Sequence, residues 1–188
     1  MDDEQAVPAA VRLVRDFVNT REPQTDEEQL STPGNVAAWF AGRGLLPPGA
    51  GMTTTDLDRA VAVREGLRQV LLEHAGHDPE RMRLDRLEHE LAAVPVRVTI
   101  GVGGPRLVGS TSEPWHLALA GLLDAIRCSA QDGTWPRLKV CARDTCRWAF
   151  YDASRNQARR WCSMAGCGNH VKMKRAYAVR KQRTAGAA

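Results

Sequence analysis

Four cysteines in the C-terminal quarter of the chain, Cys141, Cys146, Cys162 and Cys167, carry its most legible chemistry. They form two Cys-x4-Cys pairs separated by fifteen residues. Thiolates crowded into one short segment repel one another unless a cation neutralises them. Zn²⁺ does this by taking four sulfurs at tetrahedral corners, about 2.3 Å each, and such a closed shell is structural rather than catalytic. Two ligand pairs with a spacer of this length read as a zinc module holding one ion per chain.

The surrounding residues must position those sulfurs. Leu138-Lys139-Val140 approaches Cys141 as a strand, and Arg147 to Tyr151 alternates basic and aromatic residues as a return strand. Asp152 and Ser154 make a turn, where Asp152 can tie down backbone amides or Arg160. Gly168-Asn169 leads into a helix from about Val171 to Lys181. Cys167 then sits at a helix N-terminus, where the dipole favours thiolate. Trp148, Phe150 and Trp161 read as a minimal core rather than as platforms for stacked bases. So short a segment buries little surface alone, so the metal is expected to fold it.

Charge divides the chain in the same place. Residues 137–183 hold thirteen Lys/Arg against two Asp/Glu, a balance of +11, while the remainder carries −7, within an overall +4. A loaded site of four thiolates lowers the C-terminal value by about two charges. The contrast marks a domain boundary and directs the basic segment toward a polyanion.

Composition places the whole among ordinary globular chains, with 43% hydrophobic and 26% charged residues. No apolar run reaches about 18 residues, so no membrane helix is expected. The acidic start MDDEQAVPAAVRLV has none of the basic and apolar character of a signal peptide. A cytoplasmic location follows as the expectation, and there paired cysteines favour metal over disulfide. Cys128 lies in an apolar helical pattern and reads as a small buried hydrophobe.

Upstream, Ala10, Leu13, Val14, Phe17 and Val18 have the spacing of one helical face, and Arg21 to Leu30 reads as a loop. Residues 31–35 open a short helix bearing Val36, Trp39 and Phe40. Thr55 is read as the cap of a longer helix to about Ala75, with Arg64 on its apolar face. A further helix covers about Pro79 to Ala93, with Leu84, Leu87 and Leu91 inward. Val96, Val98 and Ile100 alternate with polar residues, and Leu107-Val108 returns after Gly101 to Pro105, which predicts a β-hairpin. Ser112 is read as the cap of a helix carrying Trp115, Leu119, Leu122, Leu123 and Ile126. The expected fold is α+β: a mainly helical domain (1–134) with a small hairpin, a four-cysteine zinc-finger domain (137–183) ending in a helix, and a disordered tail (184–188).

No catalytic set emerges from residues 1–134, and the chain is not expected to be an enzyme. His74 and His77 share a helical face but lack a third ligand. Arg64 and Asp16 could meet as a buried pair or as an anion site, with the salt bridge favoured.

Trp161-Cys162-Ser163-Met164 with Cys167-Gly168-Asn169, behind Cys141-x4-Cys146, Trp148-x-Phe150-x-Asp152 and Ser154-x-Asn156, resembles the CGNR-type zinc finger. Asp16-Phe17-Val18-Asn19-Thr20 resembles the start of the ABATE domain that precedes this finger in bacterial transcription regulators. The resemblance implies that the four cysteines are the zinc ligands and that the finger binds nucleic acid. His170 stands where the family's motif has Arg, exchanging a permanent charge for a titrating one. Arg155, Arg159, Arg160, His170, Lys172, Lys174 and Arg175 flank the metal and are the expected DNA contacts. The N-terminal domain would then sense a small-molecule ligand or mediate homo-oligomer assembly. Two other classes are compatible with the same residues: a zinc-dependent protein-interaction module, and a thiol–zinc redox sensor.

Overall fold

The computed structural model describes residues 7–185; the side chains of Arg175, Val179 and residues 181–185 lie outside the described residues. The chain is α+β, with six α-helices and three two-stranded antiparallel sheets among the described residues. Helix α1 (Ala9–Val18) turns Val11, Val14, Phe17 and Val18 inward. The segment read as a loop holds a minimal hairpin, β1 (Arg21–Glu22) with β2 (Glu27–Glu28). Helix α2 (Pro33–Ala41) starts at Thr32, whose hydroxyl accepts from the Asn35 amide, and contributes Val36, Trp39 and Phe40. Phe17, Trp39, Phe40 and Trp115 meet edge-on or tilted, with centroids 5.0–6.5 Å apart.

Helix α3 (Thr54–His74) is the central element. Thr53, not Thr55, caps it, because Asp56 three residues on completes the reciprocal capping box. Helix α4 (Arg81–Ala92) packs against it at Gly66, where a Cβ would stand 2.5 Å from Leu87 Cβ. Leu87 is buried there, while Leu84 and Leu91 are half-buried. The expected hairpin forms as β3 (Val96–Gly101) and β4 (Gly104–Gly109), with Val98 opposite Leu107. Helix α5 (Pro114–Gln131) packs on β4 and α1. Its N-cap position is Glu113 rather than Ser112, with no side-chain cap. The half-buried Cys128 accepts a hydrogen bond from Arg127 at 3.1 Å.

Strands β5 (Leu138–Val140) and β6 (Ala149–Tyr151) pair antiparallel, and Leu138, Val140 and Ala149 belong to the same core as α1 and α3. Packing therefore runs across residues 134–137, where the two domains are expected to meet. Only the second half of the finger extends beyond that core. It ends in α6 (Asn169–Ala185), longer than read from the sequence. Of the expected tail, residues 184–185 continue this helix, and 186–188 lie outside the described residues.

Candidate metal centre

The first Cys-x4-Cys turn grows directly out of the buried strand pair. The Cys141 amide donates to the Trp148 carbonyl at 2.9 Å, extending the β5–β6 ladder by one rung. The turn closes through the Cys146 amide on the Arg143 carbonyl at 2.9 Å, with Arg147 in the left-handed region at φ 49°. The helical core grips this turn from three sides. The Asn19 side chain accepts from the Ala149 amide at 2.8 Å and donates to the Ala149 carbonyl at 2.9 Å. Arg68 on α3 donates to the Arg147 carbonyl at 2.9 Å and to the Val18 carbonyl at 2.7 Å. Gln24, from the β1–β2 turn, donates its amide to the Cys146 sulfur at 3.4 Å.

The second turn has no strand beneath it. The Ala142 amide bonds the Arg160 carbonyl at 2.9 Å, and a five-residue π-helical turn (Met164–Gly168) presents Cys167. The Ser163 hydroxyl accepts from the Gly166 amide at 3.2 Å, and α6 follows at once. Beneath both turns, Asp152 is fully buried with Lys139 at 2.9 Å. One Asp152 oxygen accepts from the Ser154 amide and hydroxyl, the other from Lys139 and the Arg159 amide. Of the two expected uses, Asp152 ties down backbone amides, those of Ser154 and Arg159, and Lys139 rather than Arg160 supplies the cation.

The four sulfurs converge. All lie within 4.8 Å of one another, and Cys162 stands 3.7 Å from both Cys146 and Cys167. A tetrahedron of sulfurs about 2.3 Å from a central ion has edges of about 3.8 Å, whereas a disulfide requires about 2.05 Å. The spacing is thus that of a metal shell, and all four are free thiols. Cys141, Cys146 and Cys167 are buried, and Cys162 is half-exposed. Hydrogen bonds from Cys146 and then Cys162 lower the Cys141 pKa to about 2. The bond to Cys141 raises Cys146 to about 12 and raises Cys162 as well, with burial adding to both shifts. Such a set cannot be fully ionised without a cation at its centre, and a divalent ion is the group that fits it. The cluster can hold one metal ion, in a zinc-finger shell with no open position for substrate.

Of the basic residues singled out by spacing, Arg160, His170 and Lys174 line one groove of about 470 Å³ with Arg143 and Trp161. The Arg160 guanidinium lies 5.6 Å above the Trp161 ring. Arg155 and Lys172 are exposed outside that groove. Arg159 turns inward instead. Its guanidinium donates to the carbonyls of Trp161 and Cys162 and sits 5.0 Å over Phe150. The side chain of Arg175 lies outside the described residues. Trp148 and Trp161 pack on the cysteine cluster, as a small core would require.

Other candidates are accounted for structurally. His74 donates from Nδ1 to the Leu138 carbonyl at 2.9 Å and meets the Trp135 ring edge-on, so it packs the β5 approach. Arg64, fully buried, pairs with Glu28 at 2.6 Å and Glu65 at 2.8 Å. Asp16 pairs with its neighbour Arg15 at 2.9 Å, which corrects the expected Arg64–Asp16 contact. Sequence reasoning missed Gln24, Arg68 and Arg143. Arg68 carried a signal: it follows Arg64 by one helical turn on the same apolar face.

Comparison with known families agrees with this geometry. A family model described as "Putative stress-induced transcription regulator" (ABATE) matches residues 11–148, and one described as the CGNR zinc finger matches residues 137–180. The two overlap across β5 and the first cysteine turn, the segment that packs in the helical core. No curated protein matches the chain. With its buried strand pair, its four convergent sulfurs and this match over most of its length, the chain belongs to the ABATE family and carries a CGNR zinc finger at its C-terminal end.

Proposed function

We propose that the chain is a DNA-binding transcription regulator of the bacterial cytoplasm, in which Cys141, Cys146, Cys162 and Cys167 hold one structural Zn²⁺. Residues 137–183 form the DNA-contacting unit, and residues 1–134 sense a signal or mediate assembly. The ion would supply shape and no chemistry. The observation that carries the reading is α6: Lys172, Lys174 and Arg180 are exposed along it, and it springs directly from the turn that presents Cys167. One side of it, His170, Val171, Lys174 and Ala178, lines the groove with Arg143, Asp144 and Arg160, where the cationic side chains can meet a phosphate. Arg155, and Arg175 by its place in the sequence, are assigned to the same contacts, while Arg159 serves to hold the second turn. The family's description as a regulator supports the same reading and favours a non-enzymatic role. No helix among the described residues is long and apolar enough to cross a membrane.

Gel-shift titration of the zinc-loaded protein against a random duplex pool, at several salt concentrations, tests this. Phosphate contacts predict a slope of log K on log salt of about −0.9 per contact. Arg160→Ala should flatten the slope by about one contact. A wild-type affinity independent of salt would remove the DNA assignment.

One observation favours a second reading. Cys162 is half-exposed while the other three sulfurs are buried, which leaves one thiolate open to oxidant. Zinc release at micromolar peroxide would support a thiol–zinc redox sensor, and resistance to millimolar peroxide would exclude it.

A further inference from the structure

The β3–β4 hairpin has two outer edges, and only one of them is closed. The Ser110 amide donates to the Pro95 carbonyl at 2.8 Å, which fixes the alternation of the ladder. Arg97, Thr99 and Gly101 then bond inward to β4, while Val96, Val98 and Ile100 turn their amides and carbonyls outward. On β4 the matching outward residues are Pro105, Leu107 and Gly109. Pro105 has no amide hydrogen, the Leu107 amide donates to Asp124 at 2.8 Å, and Gly109 lies against Leu117 of α5. On β3 the outward groups meet no strand and no other hydrogen-bonding partner among the described residues. The same three residues expose apolar side chains on one face, and Val102 is exposed at the turn. We propose that β3 pairs edge to edge with β3 of a second copy of the chain, as antiparallel strands related by a two-fold axis at Val98.

Proteins blunt a strand edge that must stay single with proline, with charge or with a covering element. The β4 edge carries all three devices: Pro105, Arg106 and α5. In contrast, β3 runs for six residues without proline and with one charge, Arg97. A two-stranded hairpin is marginal by itself, and further strands stabilise it. Outward amides and carbonyls call for another strand rather than for an apolar surface of any shape.

The pattern of β3 is complementary to itself. An axis at Val98 sets Val98 against its own copy and Val96 against Ile100 of the second copy, so each outward residue exchanges both backbone bonds. On the opposite face Arg97 meets Thr99 of the second copy, and no like charges are opposed. Moving the axis to Arg97 would set two guanidinium groups face to face, and moving it to Thr99 would leave Val96 opposite the turn. With the axis at Val98, the apolar side chains of both copies and Leu107 form one strip across four strands. One strand edge and a few side chains cover less than the about 800 Å² per partner of a standard interface, so the pairing is weak and concentration-dependent. It gives the assembly role proposed for residues 1–134 a surface. Because it is measured without DNA, its failure would leave the DNA reading standing.

Sedimentation velocity of the zinc-loaded full chain, from about 1 μM to about 1 mM, should show a reversible monomer–dimer equilibrium. Val98→Lys sets two ammonium groups face to face and should weaken it about tenfold or more. Val98 is exposed, so this variant should melt as wild type does. Val98→Cys should give an interchain disulfide under mild air oxidation, absent from wild type. A hydrogen-bonded antiparallel pair stands about 5.5 Å apart at Cα, within disulfide reach. Val102→Cys is more exposed yet should not cross-link, because its two copies would lie roughly 27 Å apart at about 3.4 Å per residue. A chain that stays monomeric throughout, association unchanged by Val98→Lys, or cross-linking at Val102 as readily as at Val98 would each overturn the proposal. So would a monomer that takes up a short extended apolar peptide at β3, which would assign the edge to a foreign strand.

Discussion

The two cysteine turns have the same Cys-x4-Cys spacing, yet one is anchored by protein packing and the other chiefly by its sulfurs. The first rises from strands whose inward side chains, Leu138, Val140 and Ala149, are completely buried, and Asn19, Arg68 and Gln24 hold it from outside the finger. The second rises from an irregular segment and leads into a helix whose described side chains beyond Val171 are all exposed. Identical ligand chemistry therefore does two jobs. At the first turn the fold presents sulfurs already in place, while at the second the metal attaches α6 to the rest of the molecule.

The largest expected effect comes from removing one sulfur of the second pair. Cys162→Ser should abolish stoichiometric zinc, measured by elemental analysis, because closure of the shell contributes on the order of 10 kcal/mol in small zinc modules. Circular dichroism should then show loss of helix equivalent to α6, with the thermal transition of the helical core retained. Asp152→Asn comes next. It leaves Lys139 buried without its counter-charge and replaces one of the two accepting oxygens with an NH2 donor, at a cost of about 3–5 kcal/mol in urea unfolding. Asn19→Ala should cost about 1–3 kcal/mol by orphaning the Ala149 amide and carbonyl, loosening only the first turn.

Acid should produce the smallest and most graded effect. Burial lowers the His74 pKa, against the opposing hydrogen bond to Leu138, so the folded protein favours neutral imidazole. The unfolded chain then takes the proton first, and stability falls as pH drops below about 6.5 through the lower folded value. For Asp152, burial alone would raise the pKa, but the hydrogen bonds from Ser154 and Lys139 prevail and lower it. Its contribution is present above about pH 4 and is lost as pH falls through the depressed value. Urea midpoints measured from pH 8 to pH 3 should therefore decline in two stages. His74→Gln should erase only the upper one.

What is legible in the sequence, and what is not, follows the same division between local and long-range causes. The four sulfurs are readable because their spacing is local, and the helix after Cys167 because Gly168-Asn169 precedes a basic run. The β3–β4 hairpin is readable from alternation, but alternation does not say which face is covered. Val98 and Ile100 are 62% and 87% exposed, since α5 packs on β4 and does not cover them. The partner of Arg64 is misjudged from sequence because Asp16, Glu28 and Glu65 are chemically equivalent candidates, and only the turn after α1 brings Glu28 within reach. The Asn19 clamp joins residues 130 apart and leaves no local trace. Packing across the finger boundary is hidden for a related reason: charge changes at residue 137, but the apolar strands just beyond it pack in one cluster with the preceding helices.

Hydrogen exchange on the zinc-loaded protein, before and after chelation, most directly tests the claim that the ion secures the second turn while packing secures the first. Elemental analysis should give one zinc per chain. Chelation should abolish protection from Trp161 through α6 while β5 and β6 stay protected. Retained protection of α6 after the metal is gone, or collapse of β5 and β6 together with it, would contradict the account.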